Sequence, residues 1–153
     1  MYKTTTVRQI LAEKGHTVYS ISPQTTVFDA LKSMSEKKIG ALVVLDGENV
    51  VGIFSERDYA RKVILEGKSS KTLPVSEIMT TKVLFVSPQN TTEECVALMS
   101  QKFIRHLPVM EDGQLIGIVS IGDIMKAIIS HQDVMIENLE HYIRGGYTPV
   151  AKR

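Results

Sequence analysis

Residues 18–63 and 83–128 carry the same pattern twice: a shift of 65 positions aligns them without a gap, and 15 of the 46 aligned pairs are identical. Val18 through Gln24 falls on Val83 through Gln89, and Gly52-Ile-Phe-Ser-Glu-Arg-Asp58 falls on Gly117-Ile-Val-Ser-Ile-Gly-Asp123. Self-similarity at a fixed period means one supersecondary unit used twice, and a unit this short closes its own core poorly. The copies are therefore expected to pack on each other, with ligand-sized seams between them. Size argues the same way. A unit of about 60 residues buries roughly 60% of its unfolded-chain surface and one of about 150 residues roughly 70%, so the 153 residues read as one domain of two halves.

Each copy is written in the same order of elements. A short strand (18–22; 83–87) ends at Pro23 or Pro88, whose ring cannot continue a ladder. A helix follows. Thr26 with Asp29 and Thr91 with Glu94 have capping-box spacing, and Val27, Ala30, Leu31 and Met34, like Thr92, Cys95, Val96 and Met99, recur on one helical face. Next come two apolar strands joined by tight turns at Asp46-Gly47 and Asp112-Gly113, with near-continuous apolar runs expected of strands covered on both faces. A second helix starts at Ser55 and at Ser120, where Ser-x-x-Asp puts a hydroxyl at the cap and a carboxylate three residues on. The first of these is expected to stop near Gly67, before the polar Lys68–Lys71 linker. The second is expected to run on through Met135, Leu139, Tyr142 and Ile143 to Gly145-Gly146.

Amphipathic stretches beginning at Thr6 and at Pro74 read as a short lead-in helix before each copy. The division expected is a lead-in over 1–11, a first repeat over 12–68, a second over 76–132 and a helical extension with a tail over 133–153. The fold class is α/β (α+β), a tandem β-α-β-β-α arrangement that leaves no segment for a separate catalytic domain.

Composition excludes several classes of function. The formal net charge is +1 with basic residues scattered, which makes nucleic acid an unlikely partner. The first residues lack the apolar core of a signal peptide, and the apolar run from Ala41 to Leu45 is too short to span a bilayer, so no membrane role and a cytoplasmic location are expected. The lone Cys95 has no partner for a disulfide or a metal knuckle. His16, His106, His131 and His141 lack metal-ligand spacing, and the methionines fall mainly on apolar faces, where they fill cores. No nucleophile with an adjacent base and no glycine-rich phosphate loop is present, so no catalytic residue, no metal and no catalytic cofactor is expected.

The order of these elements resembles the cystathionine-β-synthase (CBS) domain pair, a regulatory module. The residues that carry the likeness are the Val-x-x-Val-Ser-Pro type segment before the first helix, Ile39-Gly-Ala-Leu-Val-Val-Leu-Asp46 and Ile104-Arg-His-Leu-Pro-Val-Met-Glu111 before the hairpin turn, and the Gly-Ile-Phe/Val-Ser-x-x-Asp close of each copy. The resemblance implies two clefts about a pseudo-twofold axis, with an adenine nucleotide (AMP, ADP, ATP or an NAD-type dinucleotide) as regulatory ligand.

The side chains suit that ligand on their own chemistry. A carboxylate accepts from both hydroxyls of a ribose at once, which fits Asp58 and Asp123, with Ser55 and Ser120 one turn before them. Adenine is flat and mostly apolar, and Ile21, Ile39, Ile53, Val86, Ile104, Pro108 and Ile118 could line a slot for it. Arg57, Arg61, Arg105 and His106 are the candidates for phosphate, since the guanidinium fork matches phosphate oxygens. The resemblance implies that each cleft combines the Ser-x-x-Asp of one copy with the first strand and pre-hairpin segment of the other. Ser55, Arg57 and Asp58 would then join Phe85, Ile104, Arg105 and His106 in the more basic cleft, and Ser120, Gly122 and Asp123 would join Ser20, Ile39, Gly40 and Ala41 in the less charged one.

Simpler readings stand beside these. Ser-x-x-Asp is also an ordinary helix cap, and Arg57 and Arg61 could form a solvated helix face. The functional expectation is a nucleotide sensor that signals by population shift and forms a homodimer through the apolar face of its last helix. The alternatives are a docking module with unliganded clefts or a nucleotide-processing enzyme.

Overall fold

The computed structural model describes residues 4–130. The first half holds β1 (Ser20–Ile21), α2 (Val27–Lys37), β2 (Ala41–Asp46), β3 (Asn49–Ser55) and α3 (Glu56–Tyr59), preceded by α1 (Val7–Lys14). The second holds α4 (Thr92–Lys102), β4 (His106–Glu111), β5 (Gln114–Ser120) and a helix α5 over 121–130. The expected extension and its apolar residues Met135, Leu139, Tyr142 and Ile143 lie outside the described residues.

The hairpins have the same register. Asp46 faces Asn49 and Glu111 faces Gln114, with a bulge one or two residues into each ladder, at Val44/Leu45 and Val109/Met110. The turns differ in chemistry: only Gly47 has positive φ in the first, whereas Asp112 and Gly113 both do in the second. The expected opening strands are short. β1 pairs in parallel with β2 through Ser20–Val43 and Ile21–Val44, and its counterpart is reduced to a single bridge between Val86 and Val109.

Both long helices begin as the sequence suggests and end in a way it does not signal. The Thr26 hydroxyl accepts from the Asp29 N–H and the Thr91 hydroxyl from the Glu94 N–H, each satisfying one free donor of the first turn. At their C-termini Lys38 and Phe103 adopt the left-handed conformation, with φ of 55° and 54°. That conformation normally favours glycine. Each turns the chain sharply into the pre-hairpin segment, and the Ile39 and Ile104 N–H groups close on the Met34 and Met99 carbonyls.

The helix after Ser55 is not regular. α3 gives way at once to a π-helical turn over Ala60–Ile64, and Gly67 stops the segment with φ of 70°. Of the two expected lead-in helices only α1 forms. The segment after Pro74 makes one 3-10 turn, Val75–Glu77.

The main departure from the sequence reading is where these lead-ins pack. Val7, Ile10 and Leu11 of α1 are buried with Val86, Cys95, Met99, Leu107, Val109, Val119 and Ile124, in the core of the second half. Val75 and Ile78 are buried with Val27, Ala30, Met34, Leu42, Val44, Phe54 and Val63, in the core of the first. The chain thus crosses over twice. Backbone hydrogen bonds fix the exchange, from the Val7 N–H to the Asn90 carbonyl and from the Val75 N–H to the Thr25 carbonyl, and bridges join Thr6 to Thr91 and Ile53 to Thr80. Two glycines make room for it. A Cβ on Gly117 would sit 2.7 Å from Leu11 Cδ2, and a Cβ on Gly52 would sit 2.6 Å from Met79 Sδ. Each half needs a segment supplied from outside its own repeat to complete its core.

Candidate functional site

Strand-to-helix junctions and pre-hairpin segments of both halves line one seam. The Glu56 N–H donates to the Gly40 carbonyl and the Ile121 N–H to the Arg105 carbonyl, so in each half the start of the last helix is tied to its own pre-hairpin loop. Between the halves lies a cavity of about 620 Å³. Its wall includes Ile53, Ser55, Arg57, Asp58 and Arg61 from the first half and Ile104, Arg105 and His106 from the second, which is the crossed pairing expected for the more basic cleft.

Phe85 is not on that wall; it is exposed, while Val86 and Pro108 are buried inside the second half. Gly40, Ser120 and Gly122, assigned from sequence to the other cleft, line this same cavity. The His106 ring faces Gly40 across the seam, and a Cβ there would lie 3.6 Å from it, in ordinary van der Waals contact.

The Ser-x-x-Asp motifs do cap their helices. Ser55 Oγ accepts from the Asp58 N–H at 3.2 Å and the Asp58 carboxylate accepts from the Ser55 N–H at 3.0 Å. The second copy repeats this, with 3.1 Å from the Asp123 N–H to Ser120 Oγ and 2.8 Å from the Ser120 N–H to Asp123 Oδ2. One oxygen of each aspartate is thus spent on the cap. For Asp58 the other oxygen, Oδ1, faces Thr80 Oγ1 at 3.3 Å and Lys62 Nζ at 3.0 Å.

The cavity is basic. Arg57, Arg61, Lys62, Lys82, Lys102 and Arg105 line it against two acids, Glu56 and Asp58. Arg57 is partly spent, its Nη1 donating to the Phe103 carbonyl at 2.9 Å and so clipping the first half to the end of α4. Burial lowers the His106 pKa below its ordinary value; the charges of Lys14 and Arg105 push the same way and Asp123 opposes them. A neutral imidazole can donate from one nitrogen and accept at the other.

Sequence reasoning missed Lys62, Thr80, Lys82, Lys102 and Phe103. Lys62 had a signal, being four residues after Asp58 on a helical pattern. Thr80 and Lys82 had none, because they reach the cavity only through the crossing of the second lead-in.

The residues expected in the second cleft do not come together in one of these cavities. Asp123 lies on a separate groove with Gln9, Glu13, Lys14, Lys126 and Ser130, between α1 and α5. Ser20, Ile21, Ile39, Ala41 and Ile118 line neither cavity, and Ala41 is buried at 5% exposure. The reason is α1. Lys14 Nζ reaches the Asp123 carboxylate at 2.6 Å and the Ile118 carbonyl at 2.7 Å, filling the space beside the aspartate with its own chain.

Two CBS-type repeats exchanging their lead-ins around a shared cavity define a regulatory-module architecture, and the family comparison agrees. The chain belongs to the CBS domain family, whose model matches residues 6–65 and 75–130. A solved structure of a protein with CBS domains from Burkholderia ambifaria MC40-6, assigned to signal transduction, is 52% identical, with a TM-score of 0.80 over 82% of this chain and 95% of that one. The CBS domain-containing protein CBSX3, mitochondrial, of Arabidopsis thaliana is 37% identical across 95% of this chain and 75% of its own length. A hexameric CBS-CP12 protein from bloom-forming cyanobacteria is 34% identical, with a TM-score of 0.72 over 82% of this chain and 72% of that one. Among the described residues no helix is long and apolar enough to cross a membrane.

Proposed function

We propose that this protein is a regulatory sensor of adenine nucleotides, with the ligand held in the cavity between the two halves. The observation that carries the reading is the chemistry of that wall: one carboxylate backed by a hydroxyl, the apolar Ile53, Val83, Leu84 and Ile104, and six cations against two acids. A ribose fits the Asp58 end and a base the apolar strip. Arg61, Lys82 and Arg105 suit a di- or triphosphate, or a dinucleotide, better than an uncharged ligand.

The mechanism is population shift. A ligand touching Ser55–Arg61 on one side and Val83–His106 on the other favours one relative placement of the halves by its difference in affinity for the two. Homodimer formation belongs to the same reading, supported by the self-assembly of the cyanobacterial relative and by Met125 and Ile129, which are 44% and 50% exposed on α5. A cytoplasmic, reducing compartment suits the lone buried Cys95.

A melting panel of AMP, ADP, ATP, NAD and S-adenosylmethionine tests the proposal. A ligand at about 100 times its Kd adds about 2.7 kcal/mol of stability and raises the midpoint visibly. Arg105→Ala is expected to weaken the phosphate-rich ligands most. No shift with any of the five would favour a docking module, and turnover of ATP by the purified chain would favour an enzyme.

A further inference from the structure

Once each lead-in is counted with the core it completes, the molecule is two bodies: the first repeat with residues 73–80, and the second repeat with α1. The backbone hydrogen bonds of Val7, Arg8 and Thr92 fall inside the second body, and those of Val27, Ser76 and Thr80 inside the first. The ion pairs of Arg8 and Lys14 likewise stay in the second, and that of Lys62 in the first. Among the described residues one hydrogen bond runs from body to body, from Arg57 Nη1 to the Phe103 carbonyl at 2.9 Å, and no ion pair does.

That bond exists on one edge of the seam only. Phe103 caps α4 in the left-handed conformation, which puts its carbonyl at the negative end of an 11-residue helix, where a cation is favoured. A shift of 65 positions places Gly122 in the position of Arg57 and Lys38 in that of Phe103. Lys38 has the same backbone turn, with φ of 55° against 54°, but Gly122 has no side chain with which to reach its carbonyl.

The wall between the edges is a poor source of cohesion. Arg61 from the first body, Lys102 and Arg105 from the second and Lys82 on the connection between them form no ion pair among the described residues. Lys62 and Asp58 satisfy each other, which leaves Glu56 as the other acid of the wall. Like charges on the two sides of a seam repel within a screening length of about 8 Å at physiological salt.

We propose that Arg57 is a one-sided clip that holds the two bodies together over this basic seam, and that a polyvalent phosphate takes over from it by pairing with cations of both walls and drawing the guanidinium from the carbonyl. A phosphate offers the guanidinium two charged acceptors where the carbonyl offers one neutral one, so the exchange is favourable. The bodies then pass from a pivot about the Arg57 edge to a bridge across the cavity, which is the two-state element that a population shift requires. The inference rests on the reading of this cavity as a phosphate site and is independent of whether a base or a sugar is bound there.

The experiment is the spread of distances between spin labels at Glu36→Cys and Gln101→Cys, equivalent exposed positions on α2 and α4, in the full chain with Cys95→Ala, since the first repeat has Ala30 there. It is measured with and without tripolyphosphate in about 0.15 M KCl, so that screening is constant. The labelled parent is expected to give a narrow distribution and Arg57→Met a wider one, which tripolyphosphate narrows. Gly122→Arg in the Arg57→Met background supplies a donor at the other edge, where an added Cβ meets nothing closer than Ser120 Oγ at 3.5 Å, and is expected to narrow it without any anion. Arg57→Gln serves where the Met variant does not fold. Equal widths in the parent and a folded Arg57 variant overturn the clip, and a double variant as wide as the single one overturns the assignment of Gly122 to the untied edge. A distribution that stays wide although tripolyphosphate raises the melting midpoint overturns the takeover and leaves the phosphate reading standing. Wide with no midpoint change removes both. Narrowing by tripolyphosphate with no midpoint change from any nucleotide supports the clip and removes the nucleotide reading.

Discussion

Leu11 and Gly117 lie in different halves of the sequence, and their contact is where the exchange of lead-ins can be tested as an energy. A Cβ added to Gly117 would stand 2.7 Å and 2.9 Å from the two methyl carbons of Leu11 and 3.4 Å from its Cγ. Leu11 is 1% exposed and Gly117 is buried in β5, so the added methyl has no way out except by moving α1. Overpacking of this kind costs about 1–3 kcal/mol. Leu11→Ala leaves a cavity in the second core and costs about 2–5 kcal/mol. In a chain of this size each kcal/mol lowers Tm by roughly 2–4 °C.

The two changes compensate. Leu11→Ala removes all three carbons that Gly117→Ala would strike, and the new methyl fills part of the space they leave. The double variant is therefore expected to be more stable than the sum of the single losses by about 1–3 kcal/mol, a coupling of the size seen for residues in contact. The assay is urea unfolding of the four proteins at one chain concentration, with ΔG and m fitted for each. Additive losses, within about 0.5 kcal/mol, would mean that α1 does not press on Gly117 and that the exchange of lead-ins is wrong. Sequence separation alone would predict that additive result.

Two further outcomes follow from single groups. His106 has a folded-state pKa below its unfolded one of about 6.5, so the unfolded chain binds the proton more readily. Stability is then highest above that unfolded value and falls as pH drops beneath it; in His106→Gln that part of the loss should vanish, and an unchanged acid limb below about pH 6.5 would contradict it. Burial, with a smaller push from Glu94, raises the Cys95 thiol to about 11, so native protein at pH 8 should resist alkylation that goes to completion once it is unfolded. Rapid labelling of native protein would show that α4 opens locally.

The duplication made most of the local structure legible. Thr26, Thr91, Ser55 and Ser120 sit where a helix needs a hydroxyl, the apolar runs at 41–45 and 106–110 form the paired strands, and the prolines end the opening strands, because each depends on residues within a few positions of one another. The cavity-facing set Ser55, Arg57, Asp58, Arg61, Ile104, Arg105 and His106 was also within reach, since the resemblance supplied the pairing of one copy with the other. The turns were less so: Gly47 and Asp112-Gly113 bend differently within the same register.

An amphipathic stretch says that it will bury a face and nothing about whose core receives it. Val7, Ile10 and Leu11 could pack equally well on either copy as far as pattern goes, and only the fitted shapes at Gly52 and Gly117 and the bonds from Val7 and Val75 choose the crossed arrangement. The asymmetries that come from distant segments follow from that choice: Thr80 and Lys82 reach the central cavity, and Lys14 reaches Asp123 across a sequence separation of 109 residues. The sequence by itself determined two halves of one pattern with like carboxylates and unlike basic residues around them. The tertiary structure decided which lysines and hydroxyls from outside each repeat meet those carboxylates, because what surrounds a charge depends on which distant segment is packed beside it.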